Sequence, residues 1–135
     1  MPLVLDASVT LSWHFPDERN EASDKLLDAL RDDIAVVPPH WRHEICNVTI
    51  AAERRGRTSS AETTELLSWL DLLPITVAVI PSEDEALALA RRHRLTFYDA
   101  LYLALALREG LPLATLDRAL AKAARNEGVV LSIER

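Results

Sequence analysis

The chain has 135 residues, 49% hydrophobic and 27% charged, with one cysteine and a net charge of −6. That length makes a single domain over 1–135 the expectation, with a core large enough to need no disulfide or zinc staples. The composition excludes a disordered chain. The lone cysteine excludes an internal disulfide framework and fits a reducing cytoplasm. The acidic balance counts against a nucleic-acid partner unless bound cations reverse the local charge.

Taken in chain order, Met1-Pro2-Leu3-Val4-Leu5-Asp6 lacks the basic flank and apolar run of a signal peptide. Leu3 to Leu5 is predicted as a buried strand ending at Asp6. Ser8 to Phe15 follows as a short helix stopped by Pro16. Residues from about Glu18 to Arg31 place Ala22, Leu26, Leu27 and Leu30 on one helical face. Ile34 to Val37 is a second strand, closed by Pro38-Pro39. A helix from about His40 to Arg55 ends at Gly56. Ser60 to Leu73 is a further helix, halted by Pro74. Thr76 to Ile80 is a β-branched strand. Ser82-Glu83-Asp84-Glu85 has the form of a capping box and opens a helix to about His93. Tyr98 to Glu109 is a helix capped by Gly110, and its most apolar run, Ala100 to Leu107, is too short to cross a bilayer. Leu113 to Leu116, a helix from Arg118 to Asn126 ended by Gly128, and a last strand at Val129 to Ile133 complete the chain. Apolar strands alternating with helices predict an α/β fold, a mostly parallel central sheet flanked by helices.

Four acidic residues stand out against this frame. In an open parallel sheet, ligands bind beyond the carboxyl ends of the strands. Asp6 and Asp117 both fall there, and Asp99 opens a helix apolar nearly all round, which is therefore buried. Glu44 lies three residues from Trp41 and four from Val48, bordering the core-facing side of its helix. An ionised glutamate there needs a cation, a donor or a proton. Gathered carboxylates require a raised pKa or a bound ion, and oxygen-only ligands suit hard ions such as Mg²⁺ or Mn²⁺, which serve phosphodiester hydrolysis. Pattern alone does not prove that the four converge. Asp99 and Asp117 also suit helix N-termini, Asp6 suits a turn, and Glu44 could pair with Arg42 or Arg92.

The residues around these carboxylates resemble the PIN-domain family, in particular its VapC-type toxin ribonucleases. Val4-Leu5-Asp6-Ala7-Ser8 is similar to the opening motif and His43-Glu44-Ile45-Cys46-Asn47 to the second. Tyr98-Asp99-Ala100-Leu101-Tyr102-Leu103-Ala104-Leu105-Ala106 resembles the third motif and Ala114-Thr115-Leu116-Asp117 the fourth. The motifs occur in family order from residue 4 to 117. The resemblance implies a PIN-like sandwich and a metal-dependent endoribonuclease. It also implies the toxin of a type II toxin–antitoxin pair, a homodimer restrained by a small antitoxin. Asp6, Glu44, Asp99 and Asp117 would then be the catalytic, metal-holding carboxylates. Ser8 and Thr115 would be supporting hydroxyls, and Asn47 a supporting polar group.

Other features receive plainer readings. Arg92 and Arg94, just upstream of Asp99, are candidates for RNA-phosphate contact or for a solvated face. His40 and His43 lack the His-Glu-x-x-His spacing of zinc sites and are expected at surface or capping positions. Cys46 is expected as a small core residue. Trp13 and Phe15 are expected in the core, with base stacking or antitoxin binding as the alternative. Arg54, Arg55 and Arg57 suit a helix C-terminus. The broad apolar helix Glu65 to Leu73 indicates a partner surface or deep burial. Gly56, Gly110 and Gly128 sit at helix ends and form no phosphate-cradling loop. Two competing functions keep the same residues: a magnesium-dependent phosphohydrolase of small phosphate esters, disfavoured because Asp6-x-Ser8 is not an Asp-x-Asp pair, and a non-catalytic RNA- or protein-binding module.

Overall fold

The structure is a computed structural model that describes residues 1–133. Among these, four strands and seven α-helices alternate: β1 Leu3–Leu5, α1 Ala7–His14, α2 Glu21–Ala29, β2 Ala35–Val37, α3 Trp41–Arg54, α4 Ser60–Leu70, β3 Ile75–Val77, α5 Glu83–His93, α6 Phe97–Glu109, β4 Leu113–Ala114 and α7 Arg118–Asn126. The strands order as β3-β2-β1-β4, and every pairing is parallel, with Val4 opposite both Val36 and Leu113. The expected α/β sandwich with a parallel sheet is the one observed.

Burial explains the sequence of these strands. Val4, Leu5, Ala35, Val37, Leu113 and Ala114 are all fully buried, as in a parallel sheet covered on both faces. Helix α6 lies against β1, β4, α5 and α7, and its residues Ala100 to Ala106 are buried without a break. That is why it is apolar on every side and not along one stripe. The chain leaves β1 toward β2 on one side and adds β4 on the other, so the topology reverses beside β1. A crevice opens at such a reversal, beyond the carboxyl ends of the strands.

Local chemistry sets the helix ends and accounts for the differences from expectation. Asn20 accepts the Ser23 N–H at 2.9 Å, so α2 begins at Glu21, and Pro16–Glu18 forms a separate 3₁₀ turn. Ser82 accepts the Glu85 N–H at 3.3 Å, one half of the expected capping box. Strand β3 lies at the sheet edge and stops at Val77. Val79 and Ile80, expected to continue it, are exposed, and their carbonyls accept from Arg108. Helix α4 stops at Leu70, leaving Leu72 in solvent. The segment Val129 to Ile133 is no strand: it meets the sheet in one isolated bridge, Leu131 to Leu113, because β4 is only two residues long.

Gly110 closes α6 at φ 65°, its N–H bonded to the Ala106 carbonyl. A Cβ there meets nothing within 4 Å, so Gly110→Ala isolates backbone strain from crowding. We expect it to lower stability by about 1 kcal/mol, read as a lower urea midpoint with an unchanged slope.

Candidate active site

Asp6 is the residue that follows β1, and it is 4% exposed. Its backbone N–H continues the ladder to the Ala114 carbonyl. One carboxylate oxygen, Oδ2, accepts both the Ser8 hydroxyl at 2.7 Å and the Thr115 hydroxyl at 2.7 Å. Each hydroxyl oxygen is used a second time. Ser8 accepts the Leu116 N–H and Thr115 accepts the Asp117 N–H, both at 3.0 Å. The expected strand Leu113 to Leu116 therefore ends at Ala114, and the chain turns so that Thr115 faces Asp6. Burial lifts the Asp6 pKa to about 6; Ser8 and Thr115 pull it down, and the charges of Asp99 and Glu44 push it up.

Glu44 enters from the first turn of α3, its side chain 30% exposed. Its Oε1 accepts the Tyr102 hydroxyl at 2.6 Å. Burial, aided by the charges of Asp6 and Glu44, raises the Tyr102 pKa above the phenol range, so Tyr102 remains a neutral donor. Asp99 lies in the first turn of α6, whose N-cap Thr96 accepts the Asp99 N–H at 3.1 Å. Its pKa is raised by burial and then by Asp117 and Glu44; Thr96 and His40 act in the opposite direction. Asp117 is the N-cap of α7, with Oδ1 accepting the Leu120 N–H at 2.9 Å. Arg42 and Arg92 do not neutralise Glu44, since they pair with Asp71 and Glu127.

Mutual charge thus ties the four carboxylates together: Asp6 to Asp99 and Glu44, and Asp99 to Glu44 and Asp117. Among the described residues, no three His, Cys, Asp or Glu side chains stand close enough to hold one ion as they are arranged. The donor chemistry nevertheless fits a hard divalent cation, because every carboxylate contributes oxygen and the strongest charges acting on buried Asp6 are negative. Such ions keep several waters and often take only one or two protein carboxylates directly.

The remaining candidates separate clearly. Ser8 and Thr115 are at the site, as described. Asn47 is exposed on α3. Arg92 is bound to Glu127 at 2.8 Å, just beyond the end of α7 remote from Asp117. Arg94 is exposed and takes a left-handed conformation, φ 55°, between α5 and the turn leading to Asp99. Cys46 is exposed and not in the core, because it falls on the outer face of α3, next to buried Ile45. His43 is exposed as expected, and His40 takes the N-cap position of α3, though its side chain makes no capping bond and is only 13% exposed. Trp13 and Phe15 pack: the Trp13 indole bonds the Ser23 carbonyl at 2.8 Å, and Phe15 is 1% exposed. Arg57 covers the Phe15 ring at 4.4 Å and pairs with Asp17 and Glu18. On α4, Leu66 and Leu70 are buried, which accounts for part of its apolar width.

Sequence reasoning missed Tyr102 and His40. Tyr102 sits three residues after Asp99 on the same helical face, and its hydroxyl is the polar atom in a run otherwise apolar from Ala100 to Ala106. His40 precedes Glu44 by one helical turn, the spacing at which side chains meet.

The PIN domain family model matches residues 3–126. Ribonuclease VapC3 of Pyrobaculum aerophilum is 33% identical over 129 residues, covering 90% of this chain and 94% of that protein. A crystal structure from Pyrobaculum aerophilum is similar at 27% identity and TM-score 0.67, covering 98% of this chain and 92% of that one. A toxin–antitoxin complex from Klebsiella pneumoniae shares the fold at 19% identity and TM-score 0.62, over 98% and 99% of the two chains.

The raised pKa of Asp6 has a thermodynamic sign. In the unfolded chain its carboxyl titrates at the ordinary value; in the fold it titrates near 6. Its charge therefore opposes folding above that pH, and the penalty shrinks as pH falls toward the unfolded value. With chelator present, Asp6→Asn is expected to gain about 1–3 kcal/mol at pH 7.5, and the gain should fade between pH 6 and pH 4. Thermal melts across that range check it; a variant less stable than wild type at pH 7.5 contradicts the electrostatic account.

Proposed function

Because the chain belongs to the PIN-domain family, with a VapC-type ribonuclease among its relatives, we propose that it is an endoribonuclease. It hydrolyses RNA phosphodiester bonds at the pocket of Asp6, Glu44, Asp99 and Asp117, with Mg²⁺ or Mn²⁺ as cofactor. What supports this reading is Asp6, buried at the reversal of the sheet with its carboxylate held by Ser8 and Thr115 and its pKa pushed up by burial and by the charges of Asp99 and Glu44. In the same reading the protein is the toxin of a toxin–antitoxin pair, acts in the cytoplasm as a homodimer, and is held in check by a small cognate antitoxin. The toxin–antitoxin title of its structural neighbour from Klebsiella pneumoniae agrees with that assignment, and among the described residues no helix is long and apolar enough to cross a membrane.

The roles follow from the contacts. Ser8 and Thr115 fix the Asp6 carboxylate by donating to one oxygen, Oδ2, and leave the other free of these two bonds. Tyr102 orients Glu44 in the same way. Asp99 lies in the first turn of α6, and Asp117 caps α7 with Oδ1 accepting the Leu120 N–H. A bound divalent ion supplies positive charge to the phosphate, an activated water, and stabilisation of the leaving oxygen. The carboxylates can then approach an RNA strand despite the net charge of −6. No side-chain nucleophile is needed.

Asp6→Asn and Asp99→Asn should each lower RNA cleavage by about 100-fold or more while the protein stays folded. The assay uses structured RNA with Mn²⁺ or EDTA, beside a chromogenic phosphate monoester. Wild-type rates in both variants reject the site, and turnover of the monoester alone rejects the substrate. Arg94→Glu should weaken RNA binding and flatten its salt dependence by about 0.7 in log–log slope. Arg92→Glu should do less, because that guanidinium already faces Glu127.

A further inference from the structure

His40 is a buried base with no hydrogen-bond partner. Both ring nitrogens are shielded from solvent and neither makes a hydrogen bond, although the side chain is 13% exposed overall. Unsatisfied buried polar atoms are uncommon in folded proteins and call for a cause. The ring is held firmly: Tyr98 lies against it at 5.2 Å and 34°, and Tyr102 meets it edge-on at 4.9 Å and 65°. Its Nε2 stands 3.1 Å from Glu44 Oε1, yet out of line for a hydrogen bond, since that nitrogen remains unpartnered. Asp99 also falls within the electrostatic reach of His40.

We propose that His40 is a nitrogen ligand of the metal pocket, adjacent to Glu44, and that it biases the pocket toward transition-metal ions over Mg²⁺. The inference rests on the metal-pocket reading and adds a residue that the four acidic motifs do not contain. Ligands on neighbouring vertices of an octahedral shell with bonds of about 2.1 Å stand about 3.0 Å apart. The His40 Nε2 to Glu44 Oε1 separation of 3.1 Å matches that edge. Both atoms belong to side chains fixed from outside the pocket, His40 by the two tyrosine rings and Glu44 by the Tyr102 hydroxyl. One imidazole and one carboxylate, completed by water, satisfy an ion without drawing three protein ligands together. Imidazole suits Mn²⁺ weakly and Ni²⁺ strongly, whereas Mg²⁺ prefers oxygen alone.

The test measures binding, not turnover. Calorimetry on wild type, His40→Phe and Asp6→Asn with Mg²⁺, Mn²⁺ and Ni²⁺ should show His40→Phe losing about tenfold or more in Ni²⁺ affinity. The loss should be smaller for Mn²⁺, with Mg²⁺ affinity nearly unchanged. Asp6→Asn should weaken all three. Pulsed EPR of the wild-type Mn²⁺ complex should show coupling to an imidazole nitrogen, absent in His40→Phe. His40→Gln repeats the comparison if Phe disturbs the tyrosine contacts, and the wild-type spectrum decides the matter even if neither variant folds. Equal weakening of every ion, or a Mn²⁺ spectrum without nitrogen coupling, overturns the proposal and leaves the acidic pocket standing. Failure of the wild type to bind any of the three ions overturns both.

Discussion

The site depends on one oxygen atom. Oδ2 of Asp6 receives two hydroxyls, from Ser8 two residues away and from Thr115 109 residues away, and those hydroxyls in turn receive the N–H groups of Leu116 and Asp117. This small circuit joins the end of β1, the start of α1 and the turn into α7. It places Asp117 at its helix cap and holds a carboxylate in the interior, where burial alone would expel its charge. Its components explain why a serine and a threonine occupy these positions: each hydroxyl must donate to the carboxylate and accept from backbone at the same time.

Holding charge in this way leaves the pocket electrostatically incomplete. Hydrogen bonds from Ser8 and Thr115 relieve part of the penalty on Asp6, but Asp99 and Glu44 add to it, and Asp99 is itself burdened by Asp117. Three arginines are engaged elsewhere, Arg42 with Asp71, Arg57 with Asp17 and Glu18, and Arg92 with Glu127. In the proposed reading, an acidic protein reaches a polyanion through a cation that this repulsion would hold. The repulsion that opposes folding is the same repulsion that creates affinity for a cation, so stability and function pull against each other at Asp6.

Much of the architecture was legible because the signals were local. Leu3 to Leu5 ends at Asp6, α7 begins at the Asp117 cap, and α6 is apolar all round because it is buried all round. The errors have local causes too. Asn20 stops α2 from reaching Glu18, and edge position lets Val79 and Ile80 leave the sheet. Motif order could nominate four acidic residues, but it could not say whether they converge, since no spacing rule links residue 6 to residue 117. Tyr102 was illegible as a partner of Glu44 for the same reason, whereas His40 had the right spacing and was passed over. One is 58 positions away across the fold, and the other looks in sequence like an ordinary residue before a helix.

The order of the strands also has a bearing on biosynthesis. Residues up to about 109 include β1, β2, β3 and three of the four acidic groups, yet they lack β4, Thr115 and Asp117. A nascent or truncated chain of that length therefore leaves Asp6 without one of its two hydroxyl donors and the reversal of the sheet unmade. The hydroxyl circuit around Asp6 closes only when the last strand docks beside the first, so a chain of that length lacks both the Thr115 donor and the Asp117 cap.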